Sequence, residues 1–149
     1  MKTTIRYSLF IFAAVLVLSA MGFAQESPQT AVASKTAKFE TVKKTDASYL
    51  KAIDAHDFAA ADKLLSQAGS FKGTVVKAFS PRSGTVLILN FDADYKTALT
   101  AVLKKADFTN FPDVSQLVGK EVVISGTFTK FNGASQVELV KPSQISIVQ

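Results

Sequence analysis

Two closely spaced β-branched runs restrict this chain more than any other feature. The first is Gly73-Thr74-Val75-Val76-Lys77-Ala78-Phe79, and the second is Thr85-Val86-Leu87-Ile88-Leu89-Asn90-Phe91. Between them, Ser80-Pro81-Arg82-Ser83-Gly84 supplies turn chemistry, so the pair reads as two neighbouring strands. Leu87-Ile88-Leu89 is apolar at consecutive positions, as expected where one strand face meets a core and the other is covered. The strand period begins at Ser70. Thr97 to Leu103 makes a third strand, although its Ala and Leu content also suits a helix. Ala106 to Val118, containing Phe108, Phe111 and Pro112, reads as a connector with a short helical turn. Lys120 to Phe131 is a fourth strand, and Asn132-Gly133 is a tight-turn signal that Ala134 can lengthen. Ser135 to Val140 alternates as a fifth strand. Pro142 breaks it, and Gln144 to Val148 resumes an extended run. Residues 70–149 are therefore expected to form a small closed β-barrel.

The upstream third reads differently. Lys2 and Arg6 precede an apolar core, Leu9 to Leu18, and Gly22-Phe23-Ala24 places small residues three and one before a cut. That is the pattern of a secretory signal peptide over residues 1–24, cleaved after Ala24, and it implies a secreted or periplasmic protein. The other reading is an uncleaved anchor, but the run is shorter than the roughly 20 residues that span a bilayer. Residues 25–44 are rich in Ser, Thr, Ala, Gln and Lys and read as a flexible linker, with room for a short ordered piece from Phe39 to Val42. Residues 45–69 are expected as an α-helical N-terminal extension. Asp46 suits an N-cap, Tyr49, Leu50 and Ile53 share a face, and Ala60, Ala61, Leu64, Leu65 and Ala68 continue a 3.6-residue stripe to Gly69. Asp54 to Phe58 leaves two forms open, a single helix or a hairpin whose second helix Asp57 caps. Either way, its apolar face must pack on the barrel or on a partner.

Composition narrows the chemistry. The net charge of +5 falls to +3 when Lys2 and Arg6 leave with the leader, since 15 basic side chains then face 12 acidic ones. That bias assists an encounter with phosphates but is far from a dense basic footprint. With no cysteine, thiol nucleophiles, zinc ribbons and iron–sulfur sites are excluded. A phosphoryl-transfer site built on paired guanidinium clamps is also excluded, because Arg82 is the sole arginine after the leader. His56 is the one histidine. It reads as a surface side chain, the alternative being a triad completed by a serine of the barrel. Asp92 and Asp94 share a face on an extended chain, yet the further oxygen ligands of a calcium loop are missing at the required spacing, so a solvated turn is the reading. Neither a cofactor nor a metal is implied.

Five strands with a connector between the third and fourth resemble the OB-fold, a small Greek-key barrel that binds oligonucleotides and oligosaccharides. Gly73-x-Val75 resembles the usual opening of its first strand, and Gly119-Lys120-x-Val122-x-Ile124-x-Gly126 its fourth. Val137-x-Leu139 followed by Pro142-Ser143-Gln144-Ile145 is similar to the ending of OB domains in bacterial secreted proteins, as is the passage from Leu89-Asn90-Phe91 to Tyr95. The resemblance covers about the last half of the chain and implies a mainly β fold, a five-stranded Greek-key OB-type barrel. It also implies a ligand face across the second and third strands, bordered by loops at Ser80–Gly84 and Phe131–Ser135. The candidate ligand-binding residues are Lys77, Arg82, Phe91, Tyr95, Lys96, Lys130, Phe131 and Asn132. Aromatic stacking with nearby cations is the chemistry of sequence-tolerant single-strand binding. The competing reading makes Phe79, Phe91, Phe128 and Phe131 barrel core and the lysines ordinary solvated surface.

The function these residues point to is a non-enzymatic binding module for single-stranded nucleic acid or another extended anionic polymer. The alternative is a module that docks an envelope protein through the helix or an edge strand. A third reading, a metal-dependent phosphodiesterase, lacks the residues for its chemistry.

Overall fold

The computed structural model describes residues 37–149. The fold is mainly β, a curled sheet with few helices. In chain order its elements are β1 (Glu40–Val42), α1 (Ala47–Lys51), β2 (Ile53–Asp54), α2 (Phe58–Lys63), β3 (Ala68–Thr74), β4 (Lys77–Phe79), β5 (Val86–Asn90) and β6 (Thr100–Lys104). Two 3-10 turns, Lys105–Asn110 and Val114–Leu117, lead to β7 (Glu121–Phe131) and β8 (Ala134–Leu139). A third turn, Pro142–Gln144, then precedes β9 (Ile145–Val148). No helix among the described residues is long and apolar enough to cross a membrane. The signal peptide expected at 1–24 lies outside the described residues, as does the linker from 25 to 36.

Strand pairing runs β4–β5–β6–β8–β7, and β7 also pairs antiparallel with β3. β6 and β8 are parallel, while the other contacts along this path are antiparallel. β3 and β4 are two parts of one extended run that changes partner at Val75–Val76. The amide of Val75 donates to the Lys120 carbonyl at 3.0 Å, and its carbonyl accepts from Gly119 at 2.8 Å. One residue later, Val76 N–H donates instead to Asn90 at 2.8 Å. That handover lets one run serve both ends of the path, and the sheet curls on itself. At the other hairpin, Phe131 pairs with Ala134, so the loop is Asn132-Gly133 alone. Both residues have positive φ, 49° and 83°, the requirement of a type I′ turn that asparagine and glycine tolerate.

The inner face of the sheet is filled by aromatic and aliphatic side chains. Phe71 meets Phe91 edge-on at 4.9 Å and Phe128 at 6.2 Å, arrangements favoured by the ring quadrupole. Leu89, Leu103, Ile124, Leu139 and Ile145 pack around them, all buried. Phe111 and Leu117, on the connector between β6 and β7, are buried in the same core.

Several sequence expectations need correction. Five strands become nine among the described residues, because the first run is divided at Val75–Val76 and short strands are added upstream and at the end. β1 is the short ordered piece for which the linker left room at Phe39 to Val42, and it pairs in parallel with β9. Of the two forms left open for residues 45–69, the structure has two short helices, but an unexpected strand, β2, separates them and pairs in parallel with β3. Asp57 caps α2 by accepting from Ala60 N–H at 2.9 Å. Asp46 precedes α1 but accepts from Lys43 N–H instead, so its carboxylate closes a turn rather than capping the helix. The stripe from Leu64 to Ala68 ends early because β7 competes for its backbone. Ser66 N–H donates to the Phe128 carbonyl at 2.8 Å, and Ala68 is already in strand.

Candidate ligand-binding groove

Register places side chains on faces, so the outer face can be read from the pairing alone. Asn90 stands opposite Lys77 on one side and Thr100 on the other, and Thr100 stands opposite Gln136. The next outward position holds Phe79, Ile88 and Val102. A groove of about 770 Å³ opens over this surface. Its floor is formed by Ile88 and Asn90 from β5, Thr100 and Val102 from β6, and Gln136 from β8. One wall is Phe79 together with Tyr95 and Lys96 of the β5–β6 loop, and the other is the β7–β8 hairpin from Lys130 to Ser135. Phe58 and Asp62 of α2 complete the rim.

Three aromatic side chains around the groove remain exposed: Phe79 at 41%, Tyr95 at 56% and Phe131 at 64%. The cations are fewer. Lys96 Nζ lies 5.8 Å from the Tyr95 ring, and Lys77 Nζ lies 5.1 Å over Phe79 beside the groove. Lys130 Nζ pairs with Asp62 Oδ1 at 2.9 Å, and Ser135 Oγ donates to the same oxygen at 3.3 Å. These bonds fasten α2 to the hairpin, and the one from Lys130 chiefly holds the Asp62 carboxyl below its ordinary value.

The β5–β6 loop is built on its carboxylates. Asp92 Oδ1 accepts from Asp94 N–H at 3.1 Å, and Asp94 Oδ1 accepts from Lys96 N–H at 3.0 Å. The paired aspartates thus hold the turn that presents Tyr95 and Lys96. His56 anchors this loop to the segment before α2. Its Nδ1 is 2.9 Å from Asp54 Oδ1, and its Nε2 is 3.2 Å from Asp92 Oδ2. Only the imidazolium carries an N–H on both nitrogens, so it is the charged form that can donate to both carboxylates at once. The bond to Asp54, with Asp92 adding to it, raises His56 above its ordinary value. Backbone N–H donors, from His56 to Asp54 and from Asp94 to Asp92, are the main cause lowering the two carboxyls. Among the described residues, no group of three or more His, Cys, Asp or Glu side chains could hold a metal ion.

Five of the eight candidate residues converge here: Tyr95, Lys96, Lys130, Phe131 and Asn132. Lys77 stands on the outer face one strand from the floor, outside the lining. Arg82 is exposed in the β4–β5 turn, also outside the lining. Phe91 corrects the expectation of a stacking surface: at 3% exposure it is core, because it follows Asn90 and strand parity turns it inward onto Phe71. Sequence reasoning missed Phe58 and Asp62, which lay in the expected extension, and the polar floor of Asn90, Thr100 and Gln136. Alternation in Ser135 to Val140 was a signal for Gln136, but nothing local marked Phe58.

No protein-family model matches the chain, and no curated protein matches it. Solved structures do. The aspartyl tRNA synthetase from Entamoeba histolytica is 9% identical with a TM-score of 0.49, over 81% of this chain and 27% of that one. The chain thus spans about a quarter of the synthetase. The hypothetical protein ygiW from E. coli is 12% identical with a TM-score of 0.41, over 75% of this chain and 99% of that one. The OBody AM1L10 in complex with hen egg-white lysozyme is 22% identical with a TM-score of 0.39, over 57% and 81%. Likeness at this level leaves the architecture to rest on the strand pairing.

Proposed function

We propose that the curled sheet is a five-stranded Greek-key OB-type barrel, with β3 and β4 counted as one bent strand. It acts as a non-enzymatic module that weakly binds single-stranded nucleic acid or another extended anionic polymer. The leader at 1–24 takes it to a secreted or periplasmic location. The observation that carries the binding reading is the convergence of Phe79, Tyr95 and Phe131, all substantially exposed, on one groove whose rim bears Lys96 and Lys130. Exposed rings are costly in water unless a partner covers them, and flat rings beside cations suit stacked bases flanked by phosphates.

The test is a salt-titrated binding assay of the purified protein against single-stranded DNA, RNA and an acidic polysaccharide. If Lys77, Lys96 and Lys130 each neutralise one phosphate, affinity falls with salt at a log–log slope of roughly −2, from about 0.7 per contact on single strands. Silence against all three polymers, or a partner protein bound with little salt dependence, would replace this reading with docking to an envelope protein. Amino-terminal sequencing of the exported protein checks the cut after Ala24.

A further inference from the structure

Asn132-Gly133 serves the fold as a turn, and the same pair carries a reaction that the fold does not use. The chain has three asparagines, and Asn132 is the one followed by glycine. Asn90 lies in β5 at 9% exposure ahead of buried Phe91, and Asn110 precedes buried Phe111. Asn132 and Gly133 are both exposed at the hairpin tip. An asparagine amide carbon is open to attack by the backbone nitrogen of the next residue, and a side chain on that residue obstructs the approach. Glycine removes the obstruction. The surroundings of Gly133 are open as well, since even an added Cβ would meet nothing within 4 Å. The hairpin ladder does not call on that nitrogen either, because its closing pair is Phe131 and Ala134.

We infer that Asn132 is a modification site, converting without an enzyme to an aspartate or isoaspartate whose carboxylate stands on the groove rim. The Gly133 nitrogen loses its proton to water and bonds to Asn132 Cγ. The Cγ–Nδ2 bond breaks, and the side-chain nitrogen takes up a proton and leaves as ammonia. Water then opens the cyclic imide. Cleavage at Cγ yields aspartate, and cleavage at the backbone carbonyl yields isoaspartate. Nothing is oxidised or reduced. The product matters because of where the turn stands: Asn132 and Gly133 line the groove together with Lys96 and Lys130. Lys130 Nζ and Ser135 Oγ both bind Asp62 Oδ1, at 2.9 and 3.3 Å, so α2 holds the base of the hairpin while its tip changes. A two-residue turn accepts Asp-Gly as it accepts Asn-Gly, so the aspartate form keeps the fold. The new carboxylate opposes the rim lysines and repels an anionic polymer. That effect on binding rests on the polymer-binding reading of the groove above; the modification does not.

The experiment incubates the full protein at mildly alkaline pH, folded and in urea, with samples taken over weeks. The three asparagines fall in separate tryptic peptides, so tandem mass spectrometry reads each one alone. The folded protein is expected to show the acid at Asn132 well before Asn90 or Asn110 changes. An amide that persists at Asn132, or one that converts in urea and not in the folded protein, overturns the site, the second result because the turn then protects it. Binding is read in parallel by fluorescence anisotropy with labelled oligo-dT. Asn132→Asp should bind a few-fold more weakly than the fresh native protein, with a salt slope shallower by about 0.7, one cation's share on a single strand. On incubation the native protein should drift toward that affinity. Asn132→Gly, which keeps a turn-compatible pair and has no amide to lose, should hold whatever affinity it begins with. If Asn132→Asp binds like the native protein, the carboxylate does not act on the groove and that half of the inference is overturned. If no form binds the oligonucleotide, the polymer-binding reading has failed, while the mass spectra still decide the modification.

Discussion

Six aromatic side chains, three inside the curled sheet and three around its outer groove, meet opposite fates. Phe71, Phe91 and Phe128 touch one another inside the curl and are fully buried, whereas Phe79, Tyr95 and Phe131 surround the outer groove and remain exposed. Each inner ring contributes about 1.5–3 kcal/mol by leaving water on folding. Each outer ring offers about 1–3 kcal/mol to a base that stacks on it. The magnitudes are alike, so chemistry does not separate the two sets. What separates them is whether the surface is covered by the chain itself or left exposed.

Substitution breaks the comparison most directly. Phe71→Ala should lose about 3–5 kcal/mol of stability, seen as a lower urea midpoint. Phe131→Ala should stay within about 0.5 kcal/mol of the native stability while weakening single-strand binding. If Phe131→Ala destabilises as much as Phe71→Ala does, the outer aromatics are structural and the contrast disappears. A smaller loss is expected at Gly126, which lies on the Phe128 side of β7. A Cβ there would sit 2.6 Å from Val137 Cγ1 and 2.9 Å from Gln144 Nε2. Gln144 cannot easily yield, because that amide donates to the Ser125 and Glu138 carbonyls at 3.0 and 2.9 Å. Gly126→Ala should therefore cost about 1–3 kcal/mol, measured by chemical denaturation. Its ligand affinity per folded molecule should not change.

Two further outcomes sharpen the outer side. Asp62→Asn removes the carboxylate that pairs with Lys130, so an anionic polymer should bind a few-fold tighter, with a steeper salt dependence. An unchanged affinity would remove Lys130 from the ligand's path. The smallest effect concerns pH. His56 is raised in the folded protein, so its contribution is full below its unfolded value near 6.5 and is lost as pH rises through the higher folded value. Asp54 and Asp92 are lowered, so their contribution is present above about 3.8 and is lost as pH falls through their folded values. The clasp is therefore strongest between these limits. His56→Gln should flatten the weak pH dependence of thermal stability on the alkaline side, and all of these groups are exposed enough for solvent to keep the effect small. A profile identical in native and variant proteins would remove the clasp from the account of the β5–β6 loop.

The site was legible in part, for identifiable reasons. Tyr95, Lys96 and the hairpin residues Lys130, Phe131 and Asn132 were visible because polar loops and an Asn-Gly turn announce themselves locally. Phe91 was misread because Leu87-Ile88-Leu89 is apolar on both faces, which hides the parity that would have turned Phe91 inward and Asn90 outward. Phe58 and Asp62 were missed because their place at the groove depends on α2 folding back against β8, a contact between residues 73 positions apart at Ser135 and Asp62.

The chain alone determined what is local: the two strand runs on either side of the Pro81–Gly84 turn, a tight turn at Asn132-Gly133, the break at Pro142 and the absence of cysteine chemistry. These follow from torsional preferences and side-chain inventory within a few residues. Tertiary structure decided which rings face inward, where the run from Ala68 to Phe79 changes partner, and that a short helix walls the groove. Such choices are made by pairings between distant segments, and a strand's own alternation tells two faces apart without saying which of them the rest of the chain will cover.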